Sequence, residues 1–218
     1  MTKAQKKERI QKVAAILAEL YPDALCALDY EGEPWKLLVM ARLSAQCTDA
    51  RVNIVCRTLF RRFPTLDAMA DGELSEIEDI VRPCGLYRTK AESIKSACTI
   101  IRDSFGGRVP DNMEELLSLP GVGRKIANLL LGDIYGKGGI VADTHCIRIC
   151  GRLGMYSTEQ KDPLKTEKIM SELLAPSEQS DFCHRIVQFG RDVCIARSPK
   201  CGECPLASLC EYSKNPKA

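Results

Sequence analysis

The stretch LPGVGRKIAN, residues 119–128, puts a proline and two glycines directly in front of a helical segment. The preceding residues 111–119, DNMEELLSL, are typical of a short helix that Pro120 ends. Gly121 and Gly123 permit left-handed backbone and leave no side chain over the turn, so its N–H groups are bare. The next helix then begins with unpaired N–H donors and a partial positive charge, which together suit a phosphate oxygen.

This hairpin can therefore hold a nucleic-acid backbone without reading its sequence. The candidate contacts are Gly121, Val122, Gly123 and Arg124. A Gly-x-Gly turn is also typical of a tight helix–helix connection that binds nothing, and taken alone it favours that second interpretation.

Lys125 lies in the first turn of the second helix, where the helix dipole disfavours a cation. This field favours the neutral amine, and Arg124 pushes the same way if the two cationic groups lie close. A neutral lysine amine is the nucleophile that Schiff-base chemistry needs. A solvated lysine with no chemical role is the commoner case, and both interpretations stay open at this point.

The segment VADTHCIRIC, residues 141–150, offers a carboxylate as a partner for that amine. The flexible YGKGG at 135–139 could return Asp143 to the hairpin, so that one cleft holds both groups. Such a pair can divide the roles of nucleophile and of base or charge stabiliser. The competing interpretation is that Asp143 only caps the helix that follows.

Four cysteines, Cys194, Cys201, Cys204 and Cys210, form the pattern C-x6-C-x2-C-x5-C. The charged N-terminal residues MTKAQKKERI do not resemble a signal peptide, so we expect an intracellular protein. Thiols spaced this closely then predict a metal site, because disulfides are rare in a reducing compartment. Four thiolates can hold either a zinc ion or a [4Fe-4S] cluster, and the softness of the ligands does not decide between them.

Two basic residues, Arg197 and Lys200, lie between the first two of these cysteines. A metal would hold their loop in place, and the loop could then present two charges to DNA phosphates. An ordinary solvated loop would have the same sequence.

The rest of the chain repeats apolar residues at helical spacing and almost lacks the alternation of strands, which predicts an all-α protein of about ten short helices. The predicted buried stripes are Ile10, Val13, Ala14 and Leu17; Ala91, Ile94, Cys98 and Ile101; Val122, Ile126, Leu130 and Ile134; and Cys146, Ile149, Cys150 and Leu153.

The composition is that of a globular protein, with 218 residues, 45% of them hydrophobic, and a net charge of +2. Residues 1–20 carry five Lys or Arg against two Glu, and residues 185–218 carry six against three acidic residues, so both ends are basic. No apolar run approaches the ~20 residues of a membrane span, and charges fill the place of a signal peptide. We therefore expect no membrane association and a cytoplasmic protein, nucleoid-associated in a bacterium or archaeon.

Taken together, these motifs resemble the endonuclease III family of the helix-hairpin-helix DNA glycosylase superfamily. LPGVGRKIAN is similar to its hairpin, ADTH (142–145) to its catalytic aspartate segment, and the four-cysteine pattern to its [4Fe-4S] signature. LSAQCTD (43–49) and GLYRTKAESI (85–94) resemble two further family segments. Ala142 departs from the valine that is usual there, and we expect this change to affect packing only.

The resemblance implies a bifunctional DNA glycosylase and AP lyase of base excision repair. Its substrate would be duplex DNA with oxidised or ring-saturated pyrimidines or abasic sites, from which the base is extruded before reaction. Lys125 would be the nucleophile and Asp143 its acidic partner, and the four cysteines would bind a [4Fe-4S] cluster. Gln46 and Leu86 match family positions that fill the gap left by the extruded nucleotide.

The same resemblance implies a monomer with a six-helix domain at 27–137. A second domain, made of 1–26 and 138–218, would carry the cluster, and the cleft between the domains would hold Lys125 and Asp143. Both basic ends of the chain then belong to one domain.

Two alternatives stand beside this interpretation. One is a monofunctional mismatch or adenine glycosylase of the same superfamily, which would lack a lysine at the nucleophile position and carry a further C-terminal domain. The other is a non-catalytic, metal-stabilised protein that binds DNA or senses redox state. In that protein Lys125 would be a phosphate contact and Asp143 a helix cap.

Overall fold

The structure is a computed structural model that describes residues 1–214. This part of the chain consists of helices, turns and loops and contains no β-strand, which confirms the all-α class. The chain divides into two compact units, Cys26–Tyr135 and Met1–Leu25 with Gly136–Ala218. The domain boundaries expected from the sequence stay a prediction, because compact packing does not test whether a unit is an independent domain.

The Cys26–Tyr135 unit holds seven α-helices. They are α2 (Pro34–Leu43), α3 (Asp49–Arg62), α4 (Leu66–Asp71), α5 (Leu74–Val81), α6 (Tyr87–Ser104), α7 (Met113–Ser118) and α8 (Arg124–Asp133). The count is one above the expected six. Gly72, with an extended ψ of 146°, ends α4 and separates it from α5.

The core of this unit forms around α6, which packs against α4, α5 and α2. All four residues of the predicted α6 stripe are fully buried, so that prediction is confirmed. The stripe predicted for α8 is only partly correct: Leu130 is buried, but Ile126 and Ile134 are half-buried, and Ala127 lies on the inner face instead.

The second unit combines both ends of the chain. Its helices are α1 (Lys3–Leu20), α9 (Thr144–Arg152), α10 (Pro163–Leu173), α11 (Pro176–Asp192) and α12 (Glu211–Lys214), with two 3-10 turns at Cys201–Glu203 and Ala207–Leu209.

Helix α1 packs against α10 and α11, so its apolar side is covered by residues from the far end of the sequence. Ile10, Val13 and Leu17 are fully buried in the same core as Phe182 and Ile186. The four residues of the predicted α9 stripe are buried there as well. Within residues 1–214, none of the helices has the length and apolar character to cross a lipid bilayer.

Candidate active site and cluster segment

The hairpin between α7 and α8 has the predicted form. Pro120 and Gly121 make the turn, and the Val122 amide donates a hydrogen bond of 3.1 Å to the Leu119 carbonyl. The side chains of Leu119 and Val122 are buried in the core. The Val122 side chain is therefore not available to DNA, and only its backbone can lie against a phosphate.

The two glycines of the hairpin differ in conformation. Gly121 is left-handed, with φ of 78°, whereas Gly123 is extended, with φ of −100° and ψ of 175°. A Cβ on Gly121 would lie 2.6 Å from Arg42 Nε and 2.8 Å from Ser93 Cβ, but a Cβ on Gly123 would meet nothing within 4 Å. Both glycines permit left-handed backbone, but only Gly121 uses it, and only Gly121 is needed for the turn itself.

Gly121→Ala should therefore destabilise the protein much more than Gly123→Ala. The left-handed backbone costs a residue with a Cβ about 1–2 kcal/mol, and the new methyl group displaces the Arg42 Nε–Ser93 Oγ hydrogen bond of 2.8 Å. We expect a loss of about 2–3 kcal/mol for Gly121→Ala, which lowers Tm by roughly 4–12 °C. The loss for Gly123→Ala should stay below about 1 kcal/mol. Thermal unfolding followed by circular dichroism measures both, and equal shifts would contradict a special need for Gly121.

Lys125 is the second residue of α8, and its side chain is exposed. Gly123 occupies the cap position of the helix and has no side chain that could bond the first N–H groups. Arg124, also exposed, precedes Lys125 in the same turn. The start of α8 thus offers bare N–H donors, a partial positive charge and two cationic side chains, a combination suited to a phosphate group.

Asp143 is the cap residue of α9, as the competing interpretation required. Its Oδ1 accepts a hydrogen bond of 2.7 Å from the Cys146 amide. The side chain is half-buried rather than enclosed, and the cap uses only one of its two oxygens. The cap fixes the orientation of the carboxylate and leaves Oδ2 for other chemistry. Ala142 beside it is buried.

Gln46 and Leu86 share an unusual backbone conformation. Both are left-handed, with φ of 56° and 47°, and Glu31 is the one other non-glycine residue of this kind within residues 1–214. Such a conformation costs about 1–2 kcal/mol for a residue with a side chain. Gln46 is exposed, and the Leu86 side chain is 58% exposed despite being apolar. The protein therefore maintains two strained loops whose side chains point outward.

The four cysteines of the C-terminal pattern line one cavity, together with apolar residues such as Phe189 and Leu206. Four thiols on the wall of one cavity are a donor set that suits the irons of a [4Fe-4S] cluster.

Two arginines of α9 hold the backbone that begins this segment. Arg152, which is only 8% exposed, donates to the carbonyls of Ile195 (2.9 Å) and Ala196 (2.8 Å) and to the Cys194 sulfur (3.3 Å). Arg148 donates to the Cys194 carbonyl at 3.0 Å. Neither arginine was predicted from the sequence. The one sign in the sequence is that both lie, four residues apart, on a helix whose other face is apolar.

Arg152→Met should loosen the cluster segment, because it keeps the apolar stem of the side chain but removes its donors. Each hydrogen bond lost from the charged guanidinium costs up to about 1.5–3 kcal/mol. We expect a lower Tm and faster loss of visible absorption when a chelator is added. Arg197→Met, which changes an exposed residue of the same loop, is the control and should leave both unchanged. Equal behaviour of the two variants would show that Arg152 does not support the segment.

The structure places the predicted residues in two groups, one in each unit. The cysteines line one cavity, Gln46 and Leu86 lie on loops of the Cys26–Tyr135 unit, and the exposed Arg197 and Lys200 flank the cavity segment. Lys125 belongs to one unit and Asp143 to the other, and their common cleft stays a prediction.

Known proteins match this chain along most of its length. Residues 39–176 match the family model of HhH-GPD superfamily base excision DNA repair proteins, and residues 194–210 that of the iron-sulfur binding domain of endonuclease III. Endonuclease III of Synechocystis sp. is 46% identical over 208 residues, which cover 95% of this chain and 94% of that protein.

Two solved structures are also similar, each with a TM-score of 0.88 and 39% identity over 98% of this chain. One is a non-covalent endonuclease III–DNA complex and the other a trapped endonuclease III–DNA covalent intermediate; the match covers 97% and 98% of those chains.

The fold, the hairpin and these matches define an enzyme of base excision DNA repair, a DNA glycosylase with AP lyase activity that acts on DNA. Neither of the two alternatives is favoured. The chain belongs to the endonuclease III family of the HhH-GPD superfamily, and its cofactor is a [4Fe-4S] cluster.

Proposed function

We propose that this enzyme excises oxidised or ring-saturated pyrimidines from duplex DNA and cuts the strand at the abasic site, with Lys125 as the nucleophile. The observation that carries the proposal is an exposed lysine in the first turn of α8, a helix that begins at a glycine hairpin without a side-chain cap. Backbone N–H groups at this point can hold a phosphate while the amine reaches the adjoining sugar.

The chemistry starts from the neutral amine. Lys125 Nζ forms a bond to C1′ while the bond from C1′ to the base breaks, and the base leaves with the electron pair and takes up a proton. The sugar ring opens to a Schiff base between Lys125 and C1′. This imine acidifies the C2′ proton, whose loss expels the 3′ phosphate by β-elimination. Hydrolysis of the imine then returns the free amine.

Asp143 is the acidic partner in this proposal. A carboxylate can accept the proton that Lys125 must lose, or it can stabilise positive charge that develops on the sugar. The half-buried side chain and the oxygen left over from the helix cap support this role.

The remaining contacts position the DNA. The backbone amides of Gly121 and Gly123, together with Arg124, would hold one phosphate group, and Arg197 and Lys200 would contact others. Val122 would lie against the same phosphate and shape the turn, because its own amide donates to Leu119. Gln46 and Leu86 would fill the space that the extruded nucleotide leaves in the duplex, a use that suits exposed side chains held on strained loops.

We assign the cluster to Cys194, Cys201, Cys204 and Cys210. When bound, the cluster ties four points of this segment together through iron–sulfur bonds. Arg148 and Arg152 hold the backbone at the first of these points. Arg197 and Lys200 lie in the loop that closes between Cys194 and Cys201, so the cluster would fix the residues that meet phosphate.

We further propose that the enzyme acts as a monomer in the compartment that contains the DNA. In a bacterium or archaeon this compartment is the cytoplasm, next to the nucleoid. A single site that extrudes one nucleotide needs no second copy of the chain. Size-exclusion chromatography with light scattering, alone and with an abasic duplex, checks the stoichiometry.

A nicking assay on a panel of duplexes tests the substrate class. The panel contains thymine glycol, dihydrouracil, an abasic site, undamaged thymine and an adenine paired with 8-oxoguanine. We expect release of the two damaged pyrimidines and a 3′ cut at the abasic site. Release of adenine without a cut would favour the monofunctional alternative, and binding without any product would favour the non-catalytic one.

A further inference from the structure

Lys90 of α6 is a fully buried lysine that the proposed chemistry does not use. Its Nζ donates three hydrogen bonds of 2.8 Å each, to the carbonyls of Leu43, Ala45 and Cys84. An ammonium group has three donors, and all three are used. Because the three carbonyls belong to different parts of the chain, the buried ammonium group connects those parts through its hydrogen bonds.

The acceptors lie in, or directly before, the two loops that carry Gln46 and Leu86. Leu43 is the last residue of α2, and Ala45 directly precedes Gln46. Cys84 ends a 3-10 turn, Arg82–Cys84, that directly precedes Gly85 and Leu86. The Lys90 amide also donates to the Leu86 carbonyl at 3.1 Å. One residue therefore contacts the backbone next to both left-handed positions.

The electrostatics of this contact are consistent with a charged amine. The carbonyls at the end of α2 carry the negative end of a helix dipole, which favours a cation. Burial acts in the opposite direction and lowers the pKa of Lys90, while the nearby Cys84 and Cys47 thiols raise it and Arg42 lowers it. Loss of one proton would leave one carbonyl without a donor.

We propose that Lys90 is a positioning residue that holds the Gln46 loop and the Leu86 loop in one fixed arrangement, so that both side chains enter the DNA together. This inference rests on the proposed roles of Gln46 and Leu86. Because the two loops are far apart in sequence and each contains a strained residue, they need a tie that neither loop provides by itself.

The test uses Lys90→Met, which keeps most of the buried stem but removes the donors. We expect excision of thymine glycol from a fully paired duplex to fall by about 10- to 100-fold at saturating enzyme. Excision of the same lesion from a short unpaired bubble, where the base already lies outside the stack, should change less than about 3-fold. A purely structural role would lower both rates by the same factor, since it would only reduce the amount of folded enzyme.

Lys95→Met is the matched control. Lys95 lies on the same helix, and its Nζ likewise donates to two carbonyls, those of Ala70 and Gly72. Neither carbonyl adjoins Gln46 or Leu86, so this variant should leave the ratio of the two rates unchanged. If Lys95→Met changes the ratio of the duplex rate to the bubble rate as much as Lys90→Met does, the inference is overturned.

Hydrogen exchange of the wild-type enzyme and of Lys90→Gln gives a second measurement, for the case that Lys90→Met does not fold. Faster exchange confined to residues 45–47 and 85–87 is expected, and unchanged exchange in both loops would overturn the inference.

The activity of the wild-type enzyme distinguishes a failure of this inference from a failure of the proposed function. If wild type releases no damaged base, the proposed function fails; if wild type is active but the ratio of rates is unaltered in Lys90→Met, only the role of Lys90 fails.

Discussion

Lys125→Gln should abolish covalent trapping of the enzyme on abasic DNA by borohydride and lower strand cleavage by at least ~10³-fold. Borohydride reduces only an imine, and glutamine has no amine that could form one. Because Lys125 is exposed and lies in the first turn of α8, its replacement should leave the unfolding temperature within about 2 °C of wild type. Gel analysis of the trapped complex, with thermal unfolding of the same samples, measures both effects.

Arg124→Gln is the control for this experiment, since it removes a cation from the same turn. It should weaken DNA binding. The slope of log K against the logarithm of the salt concentration should become shallower by about 0.9, because one phosphate fewer is neutralised. Trapping at saturating protein should remain. If Lys125→Gln is trapped as efficiently as wild type, another amine is the nucleophile and the assignment of Lys125 is wrong.

Asp143→Asn should lower base excision by about 10²- to 10³-fold without changing stability. Asparagine caps a helix as well as aspartate does, so the hydrogen bond to the Cys146 amide is kept. The negative charge alone is lost. Single-turnover excision assays with thermal unfolding separate the chemical role of the carboxylate from its role as a cap.

Asp162→Asn is a matched control for that change, because Asp162 caps α10 through hydrogen bonds to the Leu164 and Lys165 amides. It should alter neither activity nor stability. Asp143→Ala should lose activity as Asp143→Asn does, and it should also lose about 1 kcal/mol of stability because alanine cannot cap the helix. Full activity of Asp143→Asn would reduce Asp143 to a structural residue.

The sequence predicts those parts of the molecule that depend on local patterns. Helical spacing identified the buried sides of α1, α6 and α9, because each turn of a helix repeats its inner face. The break at Pro120 and Gly121 located the hairpin, since few other residues permit that backbone. The cysteine pattern identified the cluster segment because ligand spacing is a local property.

The sequence could not show features that depend on contacts between distant segments. The steric need for Gly121 arises from Arg42 and Ser93, which lie far away along the chain. Lys90 has the local appearance of a solvated lysine, yet it is fully buried and donates to the carbonyls of Leu43 and Ala45, which lie on another helix and its loop. The left-handed backbone of Gln46 and Leu86 is likewise a tertiary effect, because local propensity opposes it.

The order of the two units along the chain affects how the protein folds during synthesis. The Cys26–Tyr135 unit is continuous, and its core consists of residues of that segment alone, so no later residue is needed to complete it. The apolar stripe of α1, by contrast, is covered by α10 and α11, which are translated later. At about 5–20 residues per second, the roughly 170 residues from the end of α1 to the end of α11 take about 9–34 seconds to synthesise. Helix α1 is thus made before α2–α9, yet its apolar side reaches its native environment only after α10 and α11 have followed.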